Sequence, residues 1–549
     1  MLLLLVDLFG YLSILLQGAT LVAQSVAVGS VTFLVLLARP LAPRLREGHE
    51  ITRRAARLAA GSATALVLCE VLTIGLQGAV LMQTVGLSVG EVLGADFAIA
   101  GLVVSAAAIG LALCLHVQRP VAGGVLLSLA AIVLLGTTAT THAAARISGS
   151  AVLLTATFLH LFGAAIWLGG IPCFLMALKR VEVGLGSHLV GERFSRMSMA
   201  GVGCILASAA IFAVAYIGSW PAAYGTAYGI MVGAKSAMFG ALLLLGLGNL
   251  LLIRRLRAHP QLPVLRLRRF AEVEIGVGIS IFFAAASLTS APPAVDLTSD
   301  RVPWSEIVAR NVPRAPRLRS PDHDSLALSA LQAQLDREAA ATRSPPPAAF
   351  IPGSGEIPQR NAADVAWSEY NHHWAGLFVL AFGALAVLNA AGVRWARHWP
   401  LVLLGMAVFI LVRSDPEVWP LGPIGFFASL RDVEVLQHRL FVLVTVAFGV
   451  FEWGVRTGRL RRPAAALVFP LICALGGTLL LTHTHAIGDV REQFLVEISH
   501  TALALAAIAA GWSRWLELRA EGRVQRIAAW VWPLSFLVIG AILLGYREA

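Results

Sequence analysis

The chain has 549 residues, of which 58% are hydrophobic and only 13% charged, with a mean hydropathy of +0.78. That composition excludes a soluble globular protein and predicts an all-α polytopic membrane bundle, because apolar runs long enough to cross ~30 Å of hydrocarbon recur along nearly the whole length. The net charge of +11 invites a nucleic-acid reading, but the basic residues are distributed by topology, so membrane lipid is expected as a partner and nucleic acid is not.

Fourteen spans are predicted, at roughly 2–37, 55–82, 95–117, 121–141, 150–178, 196–219, 229–253, 270–290, 373–391, 399–412, 435–455, 465–482, 494–515 and 528–545. The first lacks a basic leader and a small-residue cleavage site, so it reads as a retained span. Basic residues crowd the odd-numbered connections: Arg39 to Arg57, Arg119, Lys179 to Arg196, Arg254 to Arg269, Arg394 and Arg397, Arg456 to Arg462, and Arg514 to Arg526. The short even connections carry only Arg146, Arg413, Arg431 and Arg491. By the positive-inside rule the odd loops are cytoplasmic and both termini extracytoplasmic. The tenth span is short, and the charge alternation supports it.

Between Pro292 and Tyr370 the hydrophobic pattern breaks, with Pro345-Pro346-Pro347 and Pro352-Gly353-Ser354-Gly355. Apart from an amphipathic stretch at Ser325 to Ala341, this segment reads as an extracytoplasmic linker. The expected domains are therefore an eight-helix membrane domain at 1–290, a linker at 291–371 and a six-helix, histidine-rich domain at 372–549. All five cysteines lie within spans and none forms C-x-x-C, which argues against disulfides and a zinc ribbon.

A histidine pattern occurs twice. Thr141-His142-Ala143 ends one span, and His160 lies inside the next, ahead of Trp167-Leu168-Gly169-Gly170; Thr484-His485-Ala486 and His500 repeat the arrangement near the other end. Imidazole is costly in hydrocarbon, so these residues point to a metal site. His160 lies ~15 Å into its span and His500 ~9 Å at the helical rise. His142, His372, His373, His438, His483 and His485 fall at outer span ends, suggesting capture above a deeper pair. Interfacial residence is the alternative for His372, His373 and His438. Glu497 and His500 share a helix face, and a carboxylate there would orient the imidazole. A di-iron site would need a second Glu-x-x-His, and there is none.

Cys173, Met176, Met197, Met199 and Cys204 offer soft sulfur ligands that favour Cu(I), with packing as the alternative role. Glu70 and Lys235 are further intramembrane charges, suited to pairing or proton transfer. The glycines around Lys235 have the wrong spacing for a phosphate loop, and no catalytic motif is present, so the chain does not read as an enzyme.

Thr141-His142-Ala143, Leu159-His160-Leu161 with Trp167-Leu168-Gly169-Gly170, Arg193-Phe194-Ser195, and Tyr228-Gly229 followed by Lys235 together resemble the copper resistance D (CopD) family of bacterial inner-membrane proteins, over about residues 137–255. The second half matches only through Thr484-His485-Ala486 and His500, with Gly511-Trp512 in place of the Trp-x-Gly-Gly run. The resemblance implies copper as the ion, its handling across the inner membrane, a periplasmic copper-binding partner, and His142 and His160 as copper residues; with capture on the outer side, conduction is expected to run inward. Neutral imidazole would be required, so capture should weaken below about pH 6. Two other readings stay open: a b-type haem oxidoreductase, which needs facing histidines at matched depth, and a copper sensor or assembly factor that moves no ion.

Overall fold

A computed structural model describes residues 2–117, 121–141, 149–182, 184–259, 261–298, 301–321, 362–415, 417–482 and 490–548. Twelve helices among them are long and apolar enough to cross a membrane, and two shorter apolar helices, Gly123–Ala139 and Ala465–Leu480, occupy the expected fourth and twelfth positions. The protein is a polytopic helical membrane protein. The tenth span is longer than its apolar core suggests: a 3-10 segment, Arg394–Leu401, runs into the helix Val402–Arg413. Arg394, Arg397 and His398 in that first segment hide it from a hydropathy reading. The proposed amphipathic stretch 325–341 lies outside the described residues. A short helix, Trp304–Asn311, forms in the segment expected to be linker.

The contacts divide the chain into two units, Met1–Arg301 with Thr478–Ala486, and Val302–Gly477 with Ile487–Ala549. The first contains α1 (Leu2–Phe33), α2 (Gly48–Thr84), α3 (Asp96–His116), α4 (Gly123–Ala139), α5 (Ser150–Ala164), α6 (Leu185–Phe212), α7 (Ala227–Ala258) and α8 (Leu265–Leu288). α1 is apolar all round and touches α2, α4, α5 and α8, as expected of a helix at the centre of a bundle. Two of its polar side chains are bonded to neighbouring helices inside the unit: Thr137 donates to Gln24 at 2.7 Å, and the Cys173 thiol to Ser30 at 3.4 Å.

Lipid tails are as apolar as leucine, so close backbone approach rather than hydrophobic burial holds such helices together. After α5 the chain forms a π turn, Ala165–Gly169, before Ile171–Leu178. This is the Trp-Leu-Gly-Gly run. A Cβ on Gly169 would lie 1.8 Å from the Ser25 carbonyl oxygen, so only glycine admits α1 at that distance. On the lipid side, Val214 and Leu244 are exposed, as a hydrocarbon solvent favours.

The second unit contains α9 (Trp304–Asn311), α10 (Ala362–Ala390), α11 (Val402–Arg413), α12 (Val433–Arg456), α13 (Val468–Leu480, within this unit to Gly477), α14 (Val490–Arg519) and α15 (Gly522–Leu544). Its core is aromatic, with Phe382, Trp399, Phe469 and Trp532 buried together. At the end of the unit where α12 and α14 finish, Arg456 pairs with Glu452 at 2.7 Å and Arg514 with Glu517 at 2.5 Å. The Arg456 guanidinium lies over Trp399 at 4.8 Å and over Trp532 at 5.4 Å, and Arg514 also covers Trp532. Stacking on indole compensates part of the desolvation these charges suffer.

Candidate functional site

His160 sits on α5, ten residues after Ser150, and faces α6. Two glycines create the contact. A Cβ on Gly163 would come within 2.5 Å of the Gly201 carbonyl oxygen, and one on Gly201 within 2.7 Å of the Gly163 carbonyl oxygen. This reciprocal contact brings α5 and α6 together and puts Ser208 Oγ 2.9 Å from His160 Nδ1. Ser208 gives its own proton to the Cys204 and Ile205 carbonyls, each at 2.9 Å. His160 Nδ1–H is therefore the donor, and the lone pair of the neutral ring falls on Nε2. One face of the ring meets Phe212, centroids 5.5 Å apart, followed by Tyr216 and then Tyr228. Lys235 on α7 is within Coulombic reach and has no hydrogen-bonding or ion-pairing partner among the described residues.

In the second unit, His372 on α10 and His500 on α14 converge on Tyr546. The His372 ring stacks on it at 3.9 Å, and the His500 ring meets it edge-on at 6.5 Å. Each histidine gives Nδ1–H to a carbonyl one turn back, His372 to Ser368 at 2.8 Å and His500 to Val496 at 2.9 Å. Glu548 joins the group, accepting from Tyr546 Oη at 3.2 Å and from Ser368. On α12, His438 Nδ1 lies 2.7 Å from Asp415 Oδ1, a carboxylate–imidazole couple.

His373 differs from all of these. The Arg317 backbone N–H donates to its Nδ1 at 2.7 Å, and its Nε2–H donates to the Tyr546 carbonyl at 2.9 Å. Both nitrogens of this buried ring are committed, so it pins the segment after α9 and the chain after α15 rather than presenting a lone pair. Glu497 is buried and accepts from Thr501 at 3.0 Å, while His500 takes its orientation from the Val496 carbonyl. His142, His483 and His485 lie outside the described residues. Of the sulfurs, Cys173 is buried against Ser30, while Met199 is 51% exposed on the flank of α6.

Among the described residues no three His, Cys, Asp or Glu side chains gather closely enough to hold one ion. The described imidazoles lie on several helices, with His372 and His500 meeting at Tyr546. In His160, His372, His438 and His500 it is Nδ1 that an oxygen engages, which is how the second nitrogen of a metal-ligating histidine is commonly held. A sequence reading misses a further buried polar pair: Glu274 on α8 accepts from Asn249 Nδ2 on α7 at 2.7 Å. Glu274 falls inside the predicted span 270–290, close behind Arg268 and Arg269, and nothing local in the sequence marks Asn249 as its partner.

Fold and side-chain chemistry together define a polytopic helical membrane protein with imidazoles held ready along its helices. Residues 188–288, spanning α6 to α8, match the family described as copper resistance protein D, which bears out the resemblance over that segment. A relative from Bacillus subtilis (strain 168), described as copper transport protein CutJ, is 32% identical over 152 residues, or 27% of this chain. That match spans 27% of the relative's own length. No solved structure matches.

Proposed function

We propose that this protein carries copper across the bacterial inner membrane, from the periplasmic side inward, through histidines used in succession. The observation that carries this reading is the common state of His160, His372, His438 and His500, each with Nδ1–H tied to oxygen. The family match over α6 to α8, which holds Ser208, supports copper as the cargo.

Distributed ligands suit passage. A conducted ion must be held well enough to enter and loosely enough to leave, which one closed multi-histidine cage would prevent. His372 and His500, on the extracytoplasmic face given by the basic-loop pattern, would receive the ion beside Tyr546. His142, His483 and His485, which the sequence puts at outer span ends, would join in the capture. His160 would hold the ion within the first unit, with Ser208 fixing its ring. Imidazole accepts copper in either oxidation state. A bis-histidine haem needs two rings facing a macrocycle, whereas His372 and His500 both meet the ring of Tyr546, at 3.9 and 6.5 Å; this supports an ion over haem. A copper-loaded periplasmic protein is the natural donor.

The test is copper uptake into vesicles containing the purified full chain. Wild type should accumulate copper, His160→Ala should lose at least about tenfold of the initial rate, and the His372→Ala, His500→Ala double variant should lose a similar factor. Uptake equal to wild type in both variants would overturn the reading. Saturable copper binding with no uptake by wild type would favour a sensor or assembly factor instead.

A further inference from the structure

The second unit holds a cavity of about 350 Å³ lined by Arg314, Arg317, Glu369, His373, Tyr546 and Arg547. Three guanidinium groups face one carboxylate. Arg317 is paired with Glu369 at 3.2 Å, and Arg547 donates to the Ala309 and Val312 carbonyls. Arg314 has neither a hydrogen-bonding nor an ion-pairing partner among the described residues. With both His373 nitrogens in neutral hydrogen bonds, the described lining of this concave site carries three guanidinium groups against one carboxylate, an excess of two positive charges. Arg547 is held below the usual arginine range, chiefly by desolvation and then by the charge of Arg314.

This arrangement sits awkwardly beside histidines meant to receive a cation. Tyr546 lines the cavity and also stacks on His372, so the arginines flank the proposed receiving residues. Uncompensated positive charge lowers the local concentration of a free metal dication and raises that of an anion. Guanidinium is also the side chain best matched to carboxylate, through paired parallel hydrogen bonds.

We infer that the Arg314, Arg317 and Arg547 cavity binds a small multivalent carboxylate, of the size and charge of citrate, and thereby admits copper as an anionic carboxylate chelate. The volume lies at the low end of small-ligand pockets, which suits a ligand of this size. Glu369 limits the affinity by occupying Arg317. The copper half of this inference rests on the proposed function, whereas the anion half does not.

Equilibrium binding of citrate alone to the detergent-purified full chain at low salt separates the two. Wild type should bind citrate saturably. Arg314→Ala should weaken binding about tenfold, as expected for loss of one charged contact, and Glu369→Gln should tighten it by releasing Arg317. Neither variant removes a buried apolar side chain, so each should keep its fold, checked by melting temperature. Absence of saturable citrate binding, or equal affinity in all three proteins, would overturn the inference even if copper uptake is normal. Citrate binding that behaves as stated, in a protein that moves no copper, would retain the anion site and discard the copper reading.

Discussion

The two units hold their histidines by different means. His160 owes its orientation to another helix: Ser208 is 48 residues away in sequence and reaches the ring only because Gly163 and Gly201 let α5 and α6 touch. His372 and His500 take theirs from their own helices, through carbonyls four residues back. The first arrangement is tertiary and is lost with a helix shift of an ångström or so. The second forms wherever the helix forms. A duplicated histidine pattern in sequence is thus not a duplicated device in three dimensions.

The comparison breaks most visibly at the glycines. Gly201→Val should destabilise the protein by about 1–3 kcal/mol by forcing α5 from α6, read as a lower melting temperature in detergent, with the His160 contribution to uptake lost as well. Citrate binding in the second unit should persist in any folded fraction. If Gly201→Val melts and transports like wild type, the tertiary account of His160 is wrong.

Next in size is the pairing itself. Ser208→Ala removes the oxygen that fixes the ring and should reduce copper affinity at that site about tenfold, as loss of an orienting partner does elsewhere. His373→Ala should show the opposite profile: a loss of about 1–3 kcal/mol in stability from the unpaired Arg317 N–H and Tyr546 carbonyl, with copper binding per folded chain unchanged. A copper defect in folded His373→Ala would return that residue to the ligand set.

The smallest effects concern the His438–Asp415 couple and proton competition. Asp415→Asn leaves His438 a weaker electron-pair donor to a metal and should lower uptake only a few-fold. Because a protonated imidazole has no lone pair, uptake should fall as the medium is acidified from neutrality to below about pH 6 and recover on return to neutral pH. Uptake rates independent of pH across that interval would argue against imidazole as the carrier.

Much of this was legible in the sequence because hydrocarbon imposes a simple grammar. Every expected span has a helix, since a backbone in lipid must satisfy its hydrogen bonds internally, and the place of His160 ten residues along its helix is readable by counting. The partners were not legible. Serine is common in apolar helices and nothing local marks Ser208; its role depends on two glycines that look like any others in a chain with 51. The cavity arginines were scattered between a linker and the C-terminus, and only folding places Arg314 beside Arg547. The committed state of His373 was equally invisible, because its neighbour His372 has the same composition around it and a different fate.

The ion pairs under Trp399 and Trp532 bear on how the chain is made. Arg456 and Arg514 are 58 residues apart, so at ~5–20 residues per second one leaves the ribosome roughly 3–12 s before the other. During that interval α12 must enter the bilayer without its later neighbour. Glu452 and Arg456 sit four residues apart on one helix, and Arg514 and Glu517 three apart on another. Each segment therefore reaches the insertion machinery with its arginine already matched by a carboxylate, and the tryptophan-capped cluster is assembled from two pieces that are each electrically neutral on arrival.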